Sequence, residues 1–165
     1  MRYNVVNIVL TEYIFLYSVN MNHRRYAMNT LLLSRKDIEG IIDFESAYAA
    51  ARDAYKAFSS GKVVQPPIVS IEIPAHHGEL DIKSGYSAME EIIGVKTASG
   101  YPENPRQYGL ESLYGFICLY DAKTSYPLCV MDSSRLTYYR TSAAGAYAAT
   151  CLARKNSKVM AIIGT

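Results

Sequence analysis

The chain has no tryptophan, and its three cysteines, Cys118, Cys129 and Cys151, are odd in number and widely spaced. They form neither a CxxC pair nor a disulfide framework. That argues against a cysteine-stapled secreted scaffold or a cysteine zinc site and points to a reducing cytoplasm. Each lies in an apolar run and reads as a small buried hydrophobe. Charge of one sign is also lacking. The 17 basic and 15 acidic side chains are interspersed, and a net charge of +2 leaves no basic patch for nucleic acid. No stretch is long and apolar enough for a membrane span: Val5 to Val19 is short and carries Asn7, Thr11 and Glu12. It is no signal peptide either, because Asn20-Met21-Asn22-His23-Arg24-Arg25 stands where a small-residue cleavage site is needed. Residues 1–27 therefore read as an extension, with Met28 the expected start. The glycine-rich G-x-G-x-x-G loop of dinucleotide sites is absent as well.

What is present is an ordinary globular composition, half apolar and 19% charged, in 165 residues, enough for one domain with a core. Leu31-Leu32-Leu33 has strand character. Ser34 and Asp43 are cap residues for two helices. In the second helix Phe44, Tyr48, Ala51, Tyr55 and Phe58 form one helical stripe, expected in the core. Pro66-Pro67 forces an extended entry to a strand over Ile68–Pro74. Alternation marks further strands at Glu79–Tyr86, Ile92–Ser99, Leu113–Tyr120 and Pro127–Met131. Ser87–Glu90 is read as a hairpin loop, and Gly100–Pro105 as a loop. The whole reads as an antiparallel meander packed on helices. Asp132 or Ser133 caps a long helix to about Arg154, rich in small residues that let another backbone come close. Val159–Ile163 is a continuous apolar run, as in a strand buried on both faces, and Gly164-Thr165 follows as at the opening of a dinucleotide-binding βαβ unit.

Three cations stand out. Lys96 shares its strand face with Ile92, Gly94 and Ala98. An amine there must find a counter-charge or lose its proton, unless it snorkels at a sheet edge. Arg140 lies two turns into the long helix among small residues. Its planar fork suits a carboxylate or phosphate, and the alternative is a surface arginine. Lys83 shares its face with Glu79 and Asp81, so a solvated, salt-bridged lysine is the easier reading. His76 and His77 are neighbours on a turn and point apart. With no Cys or Glu at ligand spacing they make a poor metal site, so no metal is expected.

Several short stretches, in order, resemble the ornithine cyclodeaminase/mu-crystallin family. They are Gly78–Tyr86, Gly94-Val95-Lys96, Gly100–Asn104, Gly109-Leu110-Glu111-Ser112, Leu119–Thr124, Leu136-Thr137, Arg140–Ala144, Leu152-Ala153-Arg154 and Ala161–Thr165. The resemblance implies an α/β protein: an α+β substrate-binding and dimerisation domain over residues 28–133, then a linking helix and the first strand of a Rossmann domain over 134–165. It implies a homodimer through the N-terminal domain, an amino-acid or imino-acid substrate, and NAD or NADP as cofactor. It implies Lys96 as the candidate catalytic residue, Lys96, Arg140 and Lys83 as ligands of the substrate carboxylate, and Ser112, Arg140 and Gly164 at the cofactor. The activity expected from it is NAD-dependent cyclisation of L-ornithine to proline with loss of ammonia. The alternatives are an NAD(P)-dependent imino-acid reductase or amino-acid dehydrogenase, or a non-catalytic binding protein or remnant. Three departures bear on this. Ile68 stands where many members carry an arginine, Glu111-Ser112 stands for the Pro-Thr of the family's Gly-Leu-Pro-Thr, and Ser125 stands where the family's turn has glycine.

Overall fold

The structure is a computed structural model that describes residues 29–163. The proposed extension over 1–27 and Gly164 lie outside the described residues. The chain runs β1 (Leu31–Leu33), α1 (Arg35–Ile41), α2 (Phe44–Ser59), β2 (Val63–Val64), β3 (Val69–Ile73), β4 (Gly78–Ser87) and β5 (Ile92–Gly100). It continues through α3 (Asn104–Tyr108), β6 (Leu113–Tyr114), β7 (Phe116–Asp121), β8 (Pro127–Asp132) and α4 (Ser134–Leu152). The strands form one sheet in the order β1-β8-β7-β5-β4-β2, with β3 also on β4 and β6 on β5. All pairings are antiparallel except β1 with β8. The expected meander of an α/β protein is therefore found, with a parallel edge strand added.

Local chemistry explains the element ends. Ser34 and Asp43 each close a capping box, with Asp37 and Ser46 at the third helical position. Ser133 is the N-cap of α4 but makes no side-chain capping bond; Asp132, just before it, accepts from Ser134 N through Oδ1 at 2.9 Å. The expected strand over Leu113–Tyr120 is broken at Gly115. A side chain there would collide with the Thr97 carbonyl oxygen and come within 2.7 Å of Ser133 Oγ. In the β7–β8 turn, Asp121 Oδ1 accepts from Lys123 N at 3.1 Å and Thr124 N at 2.8 Å. That leaves Ser125 at φ +61°, a conformation that suits glycine. Ser125→Gly should stabilise the protein by about 1 kcal/mol, read as a higher midpoint in urea. An unchanged or lower midpoint would show that the serine is not strained.

Four expectations are corrected. The α2 stripe is core only in part: Ala51 is buried and Tyr48 packs against the core. Phe44 and Phe58 are exposed, while Ala47, Ala50, Ala51 and Ala54 are buried. Small side chains bring α2 close to its neighbours and leave the rings flanking the contact, where Tyr48 and Tyr55 meet Tyr147 of α4. The Gly100–Pro105 loop gives way to α3, since Pro105 sits in the first helical turn, where a missing N–H costs nothing. Cys151 is exposed, not buried, on the last turn of α4. Val159–Ile163 forms no strand. It pairs with nothing among the described residues, and Val159, Met160, Ile162 and Ile163 are exposed, because an isolated strand has no ladder to hold it.

One face of the sheet carries Ile92, Ile117, Leu119, Cys129 and Met131. These join Ile38 of α1, the α2 alanines, and Leu136 and Ala143 of α4 in the buried core. The opposite face leaves Leu32, Val69, Ile71, Tyr114 and Phe116 exposed.

A cationic cluster between sheet and helix

Lys96 is set by strand alternation on the core-facing side of β5. The β4–β5 pairing puts Lys83 directly opposite it, with Gly85 opposite Gly94 two rungs on, on the same face. Two residues directly opposite in an antiparallel pair share a face. Lys83 is thus on the Lys96 face, not on a separate wet one. It is only 16% exposed and pairs with Asp81 Oδ2 at 3.1 Å, so the salt-bridged half of the sequence reading holds and the solvated half does not. Asp81 Oδ1 in turn accepts from Ser70 Oγ at 2.7 Å.

Lys96 does not snorkel. It is 2% exposed, and its Nζ donates to Thr137 Oγ1 at 2.6 Å. Thr137 gives its own hydroxyl proton to Ser133 O at 2.7 Å, so toward Lys96 it acts as a neutral acceptor. That bond does not offset the charge. Burial, with repulsion from Arg140 and then Lys83, pushes the Lys96 ammonium down to about 7. Arg140 stands one turn after Thr137 on α4. Its Nε is buried and unpartnered, and burial lowers its guanidinium from the usual value, against the pull of Tyr55. A buried guanidinium N–H without a partner is costly. The arrangement has an excess of positive charge and donors: among the described residues its three cations face the carboxylate of Asp81, which Lys83 engages.

Thr137 was not singled out from sequence as a ligand-side residue. The signal was its position three before Arg140, on the same helix face. Ser112 is not brought into this cluster. It lies in an exposed segment, where its carbonyl accepts from Tyr101 N at 2.8 Å. The adjacent Glu111 is forked by Arg35, with Arg35 Nη1 to Oε1 at 2.6 Å. Ile68, where many family members are expected to carry arginine, is half-buried just before β3. The open concavity lined by Glu72, His77, Glu79, Gly100 and Pro102 lies four rungs along the sheet from Lys83 and Lys96. Its acidic lining does not suit a carboxylate. No helix among the described residues is long and apolar enough to cross a membrane.

Comparison with known proteins agrees with this fold. Residues 28–165 match the ornithine cyclodeaminase/mu-crystallin family. The chain belongs to that family. It is 34% identical over 137 residues to the alanine dehydrogenase of Archaeoglobus fulgidus, covering 83% of this chain and 41% of that protein. Among solved structures, the Δ1-pyrroline-2-carboxylate reductase of Thermococcus litoralis, in complex with NADH and L-proline, superposes with a TM-score of 0.74 at 37% identity. The match covers 78% of this chain and 40% of that one. An archaeal alanine dehydrogenase dimer with bound NAD gives 0.72 at 34% identity, over 78% of this chain and 38% of that one. The chain thus spans about two fifths of the length of these relatives.

Proposed function

We propose that this chain is the substrate-binding part of an NAD(P)-dependent imino-acid reductase or amino-acid dehydrogenase. Lys96, Arg140 and Lys83 hold the carboxylate of a small substrate in it. The observation that carries this reading is the pairing deficit. Lys96 is buried against a neutral hydroxyl, Arg140 Nε has no partner, and the carboxylate of Asp81 is engaged by Lys83. One substrate carboxylate would give both free cations a charge-assisted bond. A bound nicotinamide cofactor would accept or supply the hydride. The bare Arg140 Nε suits that role as well as the carboxylate, whereas Ser112 supports it only by its place in the family pattern.

Ornithine cyclisation stands behind this reading for two reasons. Ile68 removes a cation from the pattern, and the relatives at 34% and 37% identity are named for alanine dehydrogenation and pyrroline-2-carboxylate reduction. The exposed apolar face with Leu32, Val69, Ile71, Tyr114 and Phe116 supports a homodimer through this domain, since a monomer seldom leaves such a patch in water.

A chimera tests the function. Residues 29–163 replace the matching part of the Thermococcus litoralis reductase. The expected product reduces Δ1-pyrroline-2-carboxylate, or pyruvate with ammonia, using NADH. A folded chimera that turns over only L-ornithine would reinstate the cyclodeaminase reading and overturn this one.

A further inference from the structure

Lys96 has a property that a simple carboxylate ligand does not need: it is a primary amine that forms no ion pair among the described residues. The strand beside it faces it with Lys83, α4 faces it with Thr137 and Arg140, and β7 pairs with it through Ile117. Tyr55 of α2 acts on Arg140. Thr137 Oγ1 has committed its proton to Ser133 O. A neutral amine can satisfy Thr137 with one N–H and keep its lone pair free.

From this placement we propose that Lys96 captures small 2-oxo acids as a reversible imine, with their carboxylate on Arg140. The inference rests on reading Lys96 and Arg140 as a carboxylate site. In a 2-oxo acid the carbonyl carbon is bonded directly to the carboxylate carbon. A fork that holds the carboxylate therefore brings C-2 to any amine sharing the site. Lysines desolvated beside another cation are nucleophilic for the same reason, and a fall to about 7 leaves much of the amine unprotonated at neutral pH.

The step balances without a further reactant. The Nζ lone pair attacks C-2, and the carbonyl π pair moves to oxygen. One proton passes from nitrogen to that oxygen, and the second N–H proton joins the departing hydroxyl, so that water leaves as the C=N bond forms. Water addition reverses it. Lys83, opposite on the same face, is the internal control, because its ammonium is held by Asp81.

The test uses the 165-residue chain with pyruvate and sodium cyanoborohydride at neutral pH, followed by peptide mapping. Lys96 should gain one reduced pyruvate at least roughly tenfold faster than the exposed Lys123, whose ammonium is held charged by Glu91. Arg140→Ala should slow the labelling, and acetone, which has no carboxylate, should label Lys96 poorly. Labelling spread evenly over the exposed lysines, or an unlabelled Lys96, overturns the proposal. L-proline titrated by calorimetry separates the two readings. If L-proline binds in a Lys96-dependent way and no adduct forms, only imine capture fails. If neither occurs, the carboxylate site fails with it.

Discussion

Arg140→Ala should weaken binding of small carboxylates such as L-proline by more than a hundredfold, and Lys96→Ala by roughly ten- to hundredfold. A charge-assisted hydrogen bond in a poorly solvated site contributes about 1.5–3 kcal/mol, and a tenfold change in affinity is about 1.4 kcal/mol. Lys96 offers one such bond from a buried Nζ. Arg140 offers a two-pronged fork as well as the Nε that now has no partner. Arg140→Lys should recover only part of the loss, since it keeps the charge and not the fork. Lys83→Met should cost less than either, because Asp81 already engages that ammonium. Calorimetric titration of each variant reads these differences directly. Wild-type affinity in Lys96→Ala would remove Lys96 from the site and leave its burial a structural matter only.

Much of the fold could be read from local pattern. Alternation located β3, β4, β5 and β8 to within a residue or two, because a sheet with one buried face imposes a period of two. The caps at Ser34 and Asp43 were legible because their partners lie three residues on. What failed needed information from elsewhere in the chain. The alanines of α2 outrank its aromatic residues in burial because of how closely the helix approaches its neighbours, which hydrophobicity does not encode. Lys83 was placed on an acidic, wet face by its neighbours Glu79 and Asp81. Only the hairpin register, which pairs Ser87 with Ile92, puts Lys83 across from Lys96. Lys96 was visible as an anomaly on a small-lined face. Its lack of an ion pair among the described residues became visible only once α4 was packed beside it, with Thr137 and Arg140 facing that amine.

That anomaly also predicts the stability of the protein. Lys96→Met should make it more stable at low pH, by on the order of 5 kcal/mol, with the gain shrinking as pH rises. Each unit by which a folded-state pKa departs from its unfolded value is about 1.4 kcal/mol. Lys96 falls from 10.5 to about 7 on folding. Below about 7 the amine is charged in both states, and the folded state bears the full cost of its burial. Between about 7 and 10.5 the unfolded chain holds a proton that the folded chain has released, so stability rises with pH across that window. Above 10.5 both states are neutral and the cost is gone. Methionine has similar length and no charge, and Thr137 keeps its bond to Ser133 O, so the substitution removes the penalty without opening a large cavity. The same variant should lose carboxylate affinity, the usual exchange between a strained site and a stable one. Chemical denaturation of wild type and variant below pH 7, between pH 7 and 10.5, and above 10.5 measures the effect. A variant that is less stable, or whose gain stays constant across those three ranges, would show that the charge of Lys96 is offset in the folded protein by a group other than Thr137.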